Sequence, residues 1–175
     1  MRDSRINICQ PGYNASCALC CGSHNFTADP DEIARILTHR GRCRERHADI
    51  GGRLFEDGTR CPHVGVIDGK TQIIGCLIYH RAMKGGPAES FFGYTCRNFS
   101  CRARETLSEE EILFAARLMG DWYYYGLLIN EISLLQGLFR KHRVPELVPP
   151  DELAVLKRTL AGLLRETREG ATHTA

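Results

Sequence analysis

The sequence predicts an α+β fold, a cysteine-rich half with a β-hairpin followed by C-terminal helices. Three observations lead there. All nine cysteines of the 175-residue chain lie at or before Cys101. Two β-prone runs, Val64-Gly65-Val66-Ile67 and Gln72 to Tyr79, flank the turn signal Asp68-Gly69. From Ser108 onward, apolar residues instead recur at helical spacing. The division predicts a cysteine-rich region over residues 1–105 and a helical region over 106–175, packed together as one compact domain.

The first segment, to Asn25, has Pro11-Gly12, Gly22 and four cysteines but little apolar periodicity. It reads as a loop that something besides a core must order. Thr27 to Arg40 reads as a short helix, with Asp29 as N-cap before Pro30, an apolar face of Ile33, Ile36 and Leu37, and Gly41 as its end. Arg40 to Arg60 is charged and irregular. The hairpin follows, with Cys61 just before its first strand and Cys76 within its second. Glycines and Pro87 mark a loop over 84–95, ahead of Cys96 and Cys101.

Ser108-Glu109-Glu110-Glu111 is a capping-box start, and Ile112, Leu113, Ala116, Leu118 and Met119 follow with helical spacing. The pattern runs to His142, with a bend expected near Gly120 or Gly126, and Pro145, Pro149 and Pro150 break it. Asp151 to Arg168 reads as a last amphipathic helix, with Leu153, Leu156, Leu160, Leu163 and Leu164 on one side.

Hydrophobic content of 43% and charged content of 25% are ordinary for a soluble domain. A chain of this length buries a real core, so disulfide staples are not needed. The formal net charge of +2 argues against obligatory nucleic-acid binding. Met1-Arg2-Asp3-Ser4-Arg5 leads into no apolar run, so no signal peptide is expected. Asp121, Asn130 and Glu131 interrupt the most apolar later stretch, which argues against a membrane partner. A cytoplasmic, reducing location is the expectation.

There, nine cysteines read as metal ligands before they read as disulfides, and an odd number cannot all pair within one chain. Thiolates are soft anionic donors that suit zinc and iron–sulfur clusters, usually four to a centre. Cys17-Ala18-Leu19-Cys20 is the local element, because a two-residue gap lets a tight turn aim both sulfurs at one ion. Cys21 complicates it. Adjacent side chains in an extended segment point to opposite sides, so Cys20 and Cys21 are expected to serve different centres, or one of them none. With Cys9 upstream, Cys61, Cys76, Cys96 and Cys101 complete eight candidate ligands, enough for two four-thiolate centres. Cys43, alone in an arginine-rich stretch, is left out. His24, His63 and His80 each lie close to a candidate cysteine and are alternative ligands, though an ordinary hydrogen-bonded histidine is the preferred reading of each.

Cys17-x-x-Cys20-Cys21-Gly22 resembles the signature of the CxxCxxCC zinc- or iron-chelating family, which also includes flagellin lysine N-methylases. Cys76-Leu77-Ile78-Tyr79-His80-Arg81 and Cys96-Arg97-Asn98-Phe99 are similar to that family's C-x-I-Y-x-x-R and C-R-x-F elements. The likeness spans residues 9 to 101. It departs from the family pattern at Asn14, where the first cysteine would stand and for which Cys9 substitutes. It departs again after Arg81, which no proline follows, and in the longer stretch to Cys96. The resemblance implies eight metal-ligating cysteines, Cys9, Cys17, Cys20, Cys21, Cys61, Cys76, Cys96 and Cys101, holding zinc or an iron–sulfur cluster.

Two further readings follow. By analogy with the same family, the chain would be a metal-dependent enzyme, a protein-lysine methylase or a redox protein. Alternatively, the basic run Arg40-Gly41-Arg42-Cys43-Arg44-Glu45-Arg46 would make it an interaction module that meets phosphate or an acidic partner, although a solvated loop explains that run more simply. Trp122-Tyr123-Tyr124-Tyr125 reads as burial between two elements rather than a stacking surface. No phosphate loop, nucleophile elbow or His-Glu-x-x-His motif occurs.

Overall fold

The computed structural model describes residues 6–25, 28–42, 61, 63–68, 70, 72–78, 96, 99 and 101–172. Cys43, His80, Arg81 and the Cys43–Arg46 part of the basic run lie outside them.

Residues 6–25 form neither helix nor strand, as their lack of periodicity predicts. Their path is set by turns. Tyr13 and Asn14 both take positive φ, 56° and 58°, and the Ala15 N–H returns to the Gly12 carbonyl at 2.9 Å. This reversal lays Cys17 back along Cys9, and the Cys17 N–H donates to the Cys9 carbonyl at 3.0 Å.

The first helix, α1, spans Pro30–Arg42. Asp29 caps it, its Oδ1 accepting from the Glu32 N–H at 2.9 Å. The helix runs past the predicted stop at Gly41, a residue that a last turn tolerates at a cost of about 1 kcal/mol. Ile33, Ile36 and Leu37 are buried as the spacing predicts. They pack on a two-stranded antiparallel sheet, β1 (Val64–Asp68) and β2 (Ile73–Cys76), in which Val64 faces Cys76 and Val66 faces Ile74. Asp68 opens the turn, its Oδ1 accepting from the Lys70 N–H at 3.0 Å. The second strand ends at Cys76, short of the predicted Tyr79, because Leu77 and Ile78 already turn away.

The helical half divides more finely than its pattern suggested. A five-residue helix, α2 (Arg102–Thr106), follows Cys101 directly and is too short for periodicity to register. Next, α3 (Glu109–Met119) begins with the predicted capping box, in which Ser108 Oγ accepts from the Glu111 N–H and the Glu111 carboxylate accepts from the Ser108 N–H. It stops at Gly120, which adopts the left-handed cap conformation (φ 61°). Asp121 then starts a new helix, α4 (Trp122–Asn130), its Oδ1 accepting from the Tyr124 N–H at 2.7 Å. A second break at Glu131, not foreseen, separates α5 (Ile132–His142). A 3₁₀ turn at Pro145–Leu147 leads into the last helix, α6 (Pro150–Thr172). Among the described residues, no helix is long and apolar enough to cross a membrane.

Two hydrophobic cores result. The larger lies among α2 to α6 and takes in Ile8 and Ala15 from the N-terminal loop. The smaller lies between α1 and the hairpin and includes Trp122. Helix α4 serves both, with Trp122 in the smaller core and Tyr125, Leu128 and Ile129 fully buried in the larger. Each such side chain contributes about 1.5–3 kcal/mol when removed from water.

Candidate metal centre

Eight cysteines fall among the described residues, and all are thiols rather than disulfides. They come from six places in the chain, and backbone hydrogen bonds pair Cys17 with Cys9 and Cys61 with Cys21. Cys9 and Cys17 face each other across the turn at Tyr13-Asn14. Asn14 itself stands exposed at that turn, with the left-handed backbone that asparagine adopts more readily than cysteine. Ser16 Oγ donates to the Cys9 carbonyl at 2.9 Å, tightening the reversal. Gln10 Nε2 donates to the Cys76 carbonyl at 3.2 Å, which ties the end of β2 to this loop. The close approach is built in, because a side chain at Gly75 would stand 2.7 Å from Ser16 Oγ.

Cys17 to Asn25 continues as a succession of turns, in which the Cys21 and Ser23 N–H groups both donate to the Ala18 carbonyl. The segment is therefore turned, unlike the extended backbone from which the divergence of Cys20 and Cys21 is expected. Cys20 is exposed, whereas Cys21 is partly buried against the hairpin core. The single Cys21 S–H serves Cys20 or Cys61, and the Cys61 N–H donates to the Cys21 carbonyl at 3.0 Å. Two separated segments therefore meet at Cys21 and Cys61.

The electrostatics follow from this geometry. A hydrogen bond from Cys21 lowers the pKa of Cys20 to about 7 and that of Cys61 to about 6. Cys21, holding the shared proton, is driven far up. Cys9 and Cys17 are pushed up first by burial, Cys17 to about 12, and then by neighbouring sulfurs: Cys17, Cys20, Cys101 and Cys76 act on Cys9, and Cys20 and Cys101 act on Cys17. Burial also raises Cys96, which feels Cys76, Cys61 and Cys20.

Backbone donors converge on two of the sulfurs. The His63 N–H reaches Cys61 Sγ at 3.4 Å, and the Leu19 N–H donates to Cys17. In each case the donor lies two residues after its cysteine, the geometry of a turn folded around a thiolate. Asn130, at the end of α4, adds a side-chain donor, its Nδ2 lying 3.7 Å from Cys17 Sγ and 2.7 Å from the Gly126 carbonyl. Such donors disperse thiolate charge and orient the sulfur lone pairs. Beside this loop, Leu19, Leu127, Asn130, Glu131, Leu160, Leu163 and Leu164 line an apolar cleft of about 170 Å³.

The histidines behave differently. His24 is buried, with Nδ1 2.8 Å from Ser23 Oγ and Nε2 2.8 Å from the Tyr123 carbonyl. Its ring stacks on Tyr123 with centroids 4.7 Å apart and meets Trp122 edge-on at 5.3 Å. Both nitrogens are engaged, so His24 is a structural residue and not a ligand. His63 lies beside Cys61 and favours its thiolate. Sequence reasoning missed Asn130 and Tyr125, whose hydroxyl donates to the Ile8 carbonyl at 2.8 Å and holds the loop next to Cys9. No sequence pattern links Ile8 to Tyr125 or Cys17 to Asn130.

Eight soft thiol donors match the donor chemistry of zinc and of iron–sulfur clusters. Among the described residues, no three or more His, Cys, Asp or Glu side chains are gathered as a group that could hold a metal ion. The chain matches no family model, no curated protein and no solved structure.

Proposed function

We propose that the chain is a thiolate-ligated metal protein that holds zinc or an iron–sulfur cluster through Cys9, Cys17, Cys20, Cys21, Cys61, Cys76, Cys96 and Cys101. The metal orders the cysteine-rich half and works in a reducing, cytoplasmic setting. The observation that carries this reading is the meeting of thiols from distant segments, with N–H donors aimed at Cys17 and Cys61. Cysteines that served only as small hydrophobes would be distributed through the cores. Here Cys20 is exposed, and the remaining seven are only partly buried. The resemblance to the CxxCxxCC family supports the same ligand set, and the turn at Asn14 gives a reason for Cys9 to stand in for that family's first cysteine.

Metal binding by thiols releases protons, since each ligating sulfur must ionise. The low pKa of Cys20 and Cys61 starts that process near neutrality. The direct test is elemental analysis of anaerobically purified protein together with its visible spectrum. Colourless protein carrying zinc, or brown protein carrying iron and acid-labile sulfide, supports the proposal. Metal-free protein in which every thiol titrates freely, and which takes up neither zinc nor iron, overturns it.

A further inference from the structure

We propose that Cys21 and Cys61 are a peroxide-sensitive thiol pair, which closes to a disulfide between the N-terminal loop and the base of the hairpin. The pair goes beyond the metal-binding reading above. It rests on that reading only for its consequence, since closing the bond removes two of the proposed ligands.

The backbone sets the pair. The Cys61 N–H donates to the Cys21 carbonyl at 3.0 Å. Covalent lengths on either side of such a bond keep the two Cα atoms within about 7 Å, and about 5.5 Å is usual between bonded strand residues. Disulfides span about 4.4–6.8 Å between Cα atoms, so the two segments already stand at bridging distance. The side chains meet as well, because the Cys21 S–H reaches the Cys61 sulfur. Both residues are thiols and only partly buried.

Other pairings are less suited. Cys20 and Cys21 are joined by a trans peptide, which fixes their Cα atoms about 3.8 Å apart, below the disulfide range. Cys17 and Cys9 share the same kind of backbone bond, at 3.0 Å, but both pack against the larger core. The Cys21 side of the chosen pair instead adjoins Cys20, which is exposed.

The two members have different roles. The His63 N–H reaches Cys61 Sγ at 3.4 Å, and a donor in that position favours the thiolate. Cys61 is therefore the attacking sulfur. Its thiolate breaks the O–O bond of hydrogen peroxide, releasing hydroxide and becoming a sulfenic acid. Cys21, as thiolate, then attacks that sulfur; the S–S bond forms and the oxygen leaves as water. The two thiols are oxidised by two electrons, and one peroxide is reduced to two waters. A sulfur held in a disulfide is no longer a thiolate and gives up its place as a ligand. In a reducing compartment such a bond is transient, which suits a sensor rather than a staple.

Hydrogen peroxide is the probe. The anaerobically purified full chain is exposed to one equivalent, denatured with chelator and alkylated. The expected product carries two fewer alkyl groups than the nine of the untreated chain. Fragmentation of the cross-linked peptides should place the bond between Cys21 and Cys61 in the wild type, so the assignment does not depend on how any variant folds. C20S should form the same bond, and C61S should lose it. A bond mapped to Cys9 and Cys17, a bond between two chains, or no loss of thiols overturns the pair. Washed free of metal and titrated with zinc, the oxidised chain should bind less than the untreated one, and dithiothreitol should restore the difference. Equal zinc binding by both forms overturns the consequence for the metal. If neither form binds zinc or iron while the Cys21–Cys61 bond still closes, the metal-binding reading fails and the thiol pair stands.

Discussion

The imidazole of His24 occupies the space that a side chain on Gly126 would need. A Cβ built at position 126 stands 2.8 Å from His24 Cε1 and 3.3 Å from Nε2. Glycine in mid-helix costs about 1 kcal/mol relative to alanine, so helix propensity alone would favour G126A. The contact decides otherwise, since His24 is pinned at both nitrogens and cannot rotate away. G126A is expected to destabilise the protein by about 1–3 kcal/mol, read from the shift in urea midpoint at constant m-value. A midpoint unchanged or raised would show that the ring yields.

Stability should fall on acidification through the same histidine. Burial depresses the His24 pKa from 6.5 to about 4, while an imidazole in the unfolded chain still protonates near 6.5. Between those values the unfolded state binds more protons, so folding weakens as pH drops from about 6.5 toward 4. The full loss is about 3 kcal/mol from a shift of this size. H24Q keeps a donor toward the Tyr123 carbonyl and has nothing to titrate. Its unfolding free energy, measured at pH 7 and pH 4.5 beside the wild type, should decline less. Parallel declines would mean that other groups carry the acid sensitivity.

Tyr125 is expected to matter for the thiol loop although it is not a ligand. Y125F removes the donor to the Ile8 carbonyl and leaves that buried acceptor unsatisfied, at a cost of about 1–3 kcal/mol. The effect should also appear locally as faster reaction of Cys9 with a thiol reagent. A variant that loses stability without change in Cys9 reactivity would separate the tyrosine from the loop.

Chelation should act on one half of the molecule. With metal present at about a thousand times its Kd, its removal lowers stability by about 4 kcal/mol. The expected result is loss of hydrogen-exchange protection in residues 6–25 and 61–78, while α3 to α6 retain their helical circular dichroism. Identical protection with and without chelator would count against a metal that orders the first half.

Where the sequence was legible, the signals were local and redundant. Asp29 before Pro30, Ser108 with Glu111, and the paired runs about Asp68 each state their structure within a few residues, and each is found. Gly120 was readable as a bend, but the break at Glu131 carries neither glycine nor proline. Gly126 looked like a bend and is instead a gap for His24, a partner 102 positions away. The backbone at Cys20 and Cys21 was illegible for a related reason. Alternation of side chains holds for extended backbone, and only the turns through Ala18 and Ser23 reveal that this segment is curved. Long-range donors such as Asn130 and Tyr125 are ordinary residues in sequence and acquire meaning only from what the fold places beside them.

Helix α4 carries the chain's single tryptophan, and that residue sits in the smaller core, edge-on to His24. Its indole emission is therefore a built-in optical gauge of the hairpin side alone, while far-ultraviolet ellipticity is dominated by the helices. Indole emission and ellipticity together therefore distinguish a change at the smaller core from a general loss of helix, without a label. A protonated imidazole quenches indole, so the same light also registers the charge on His24.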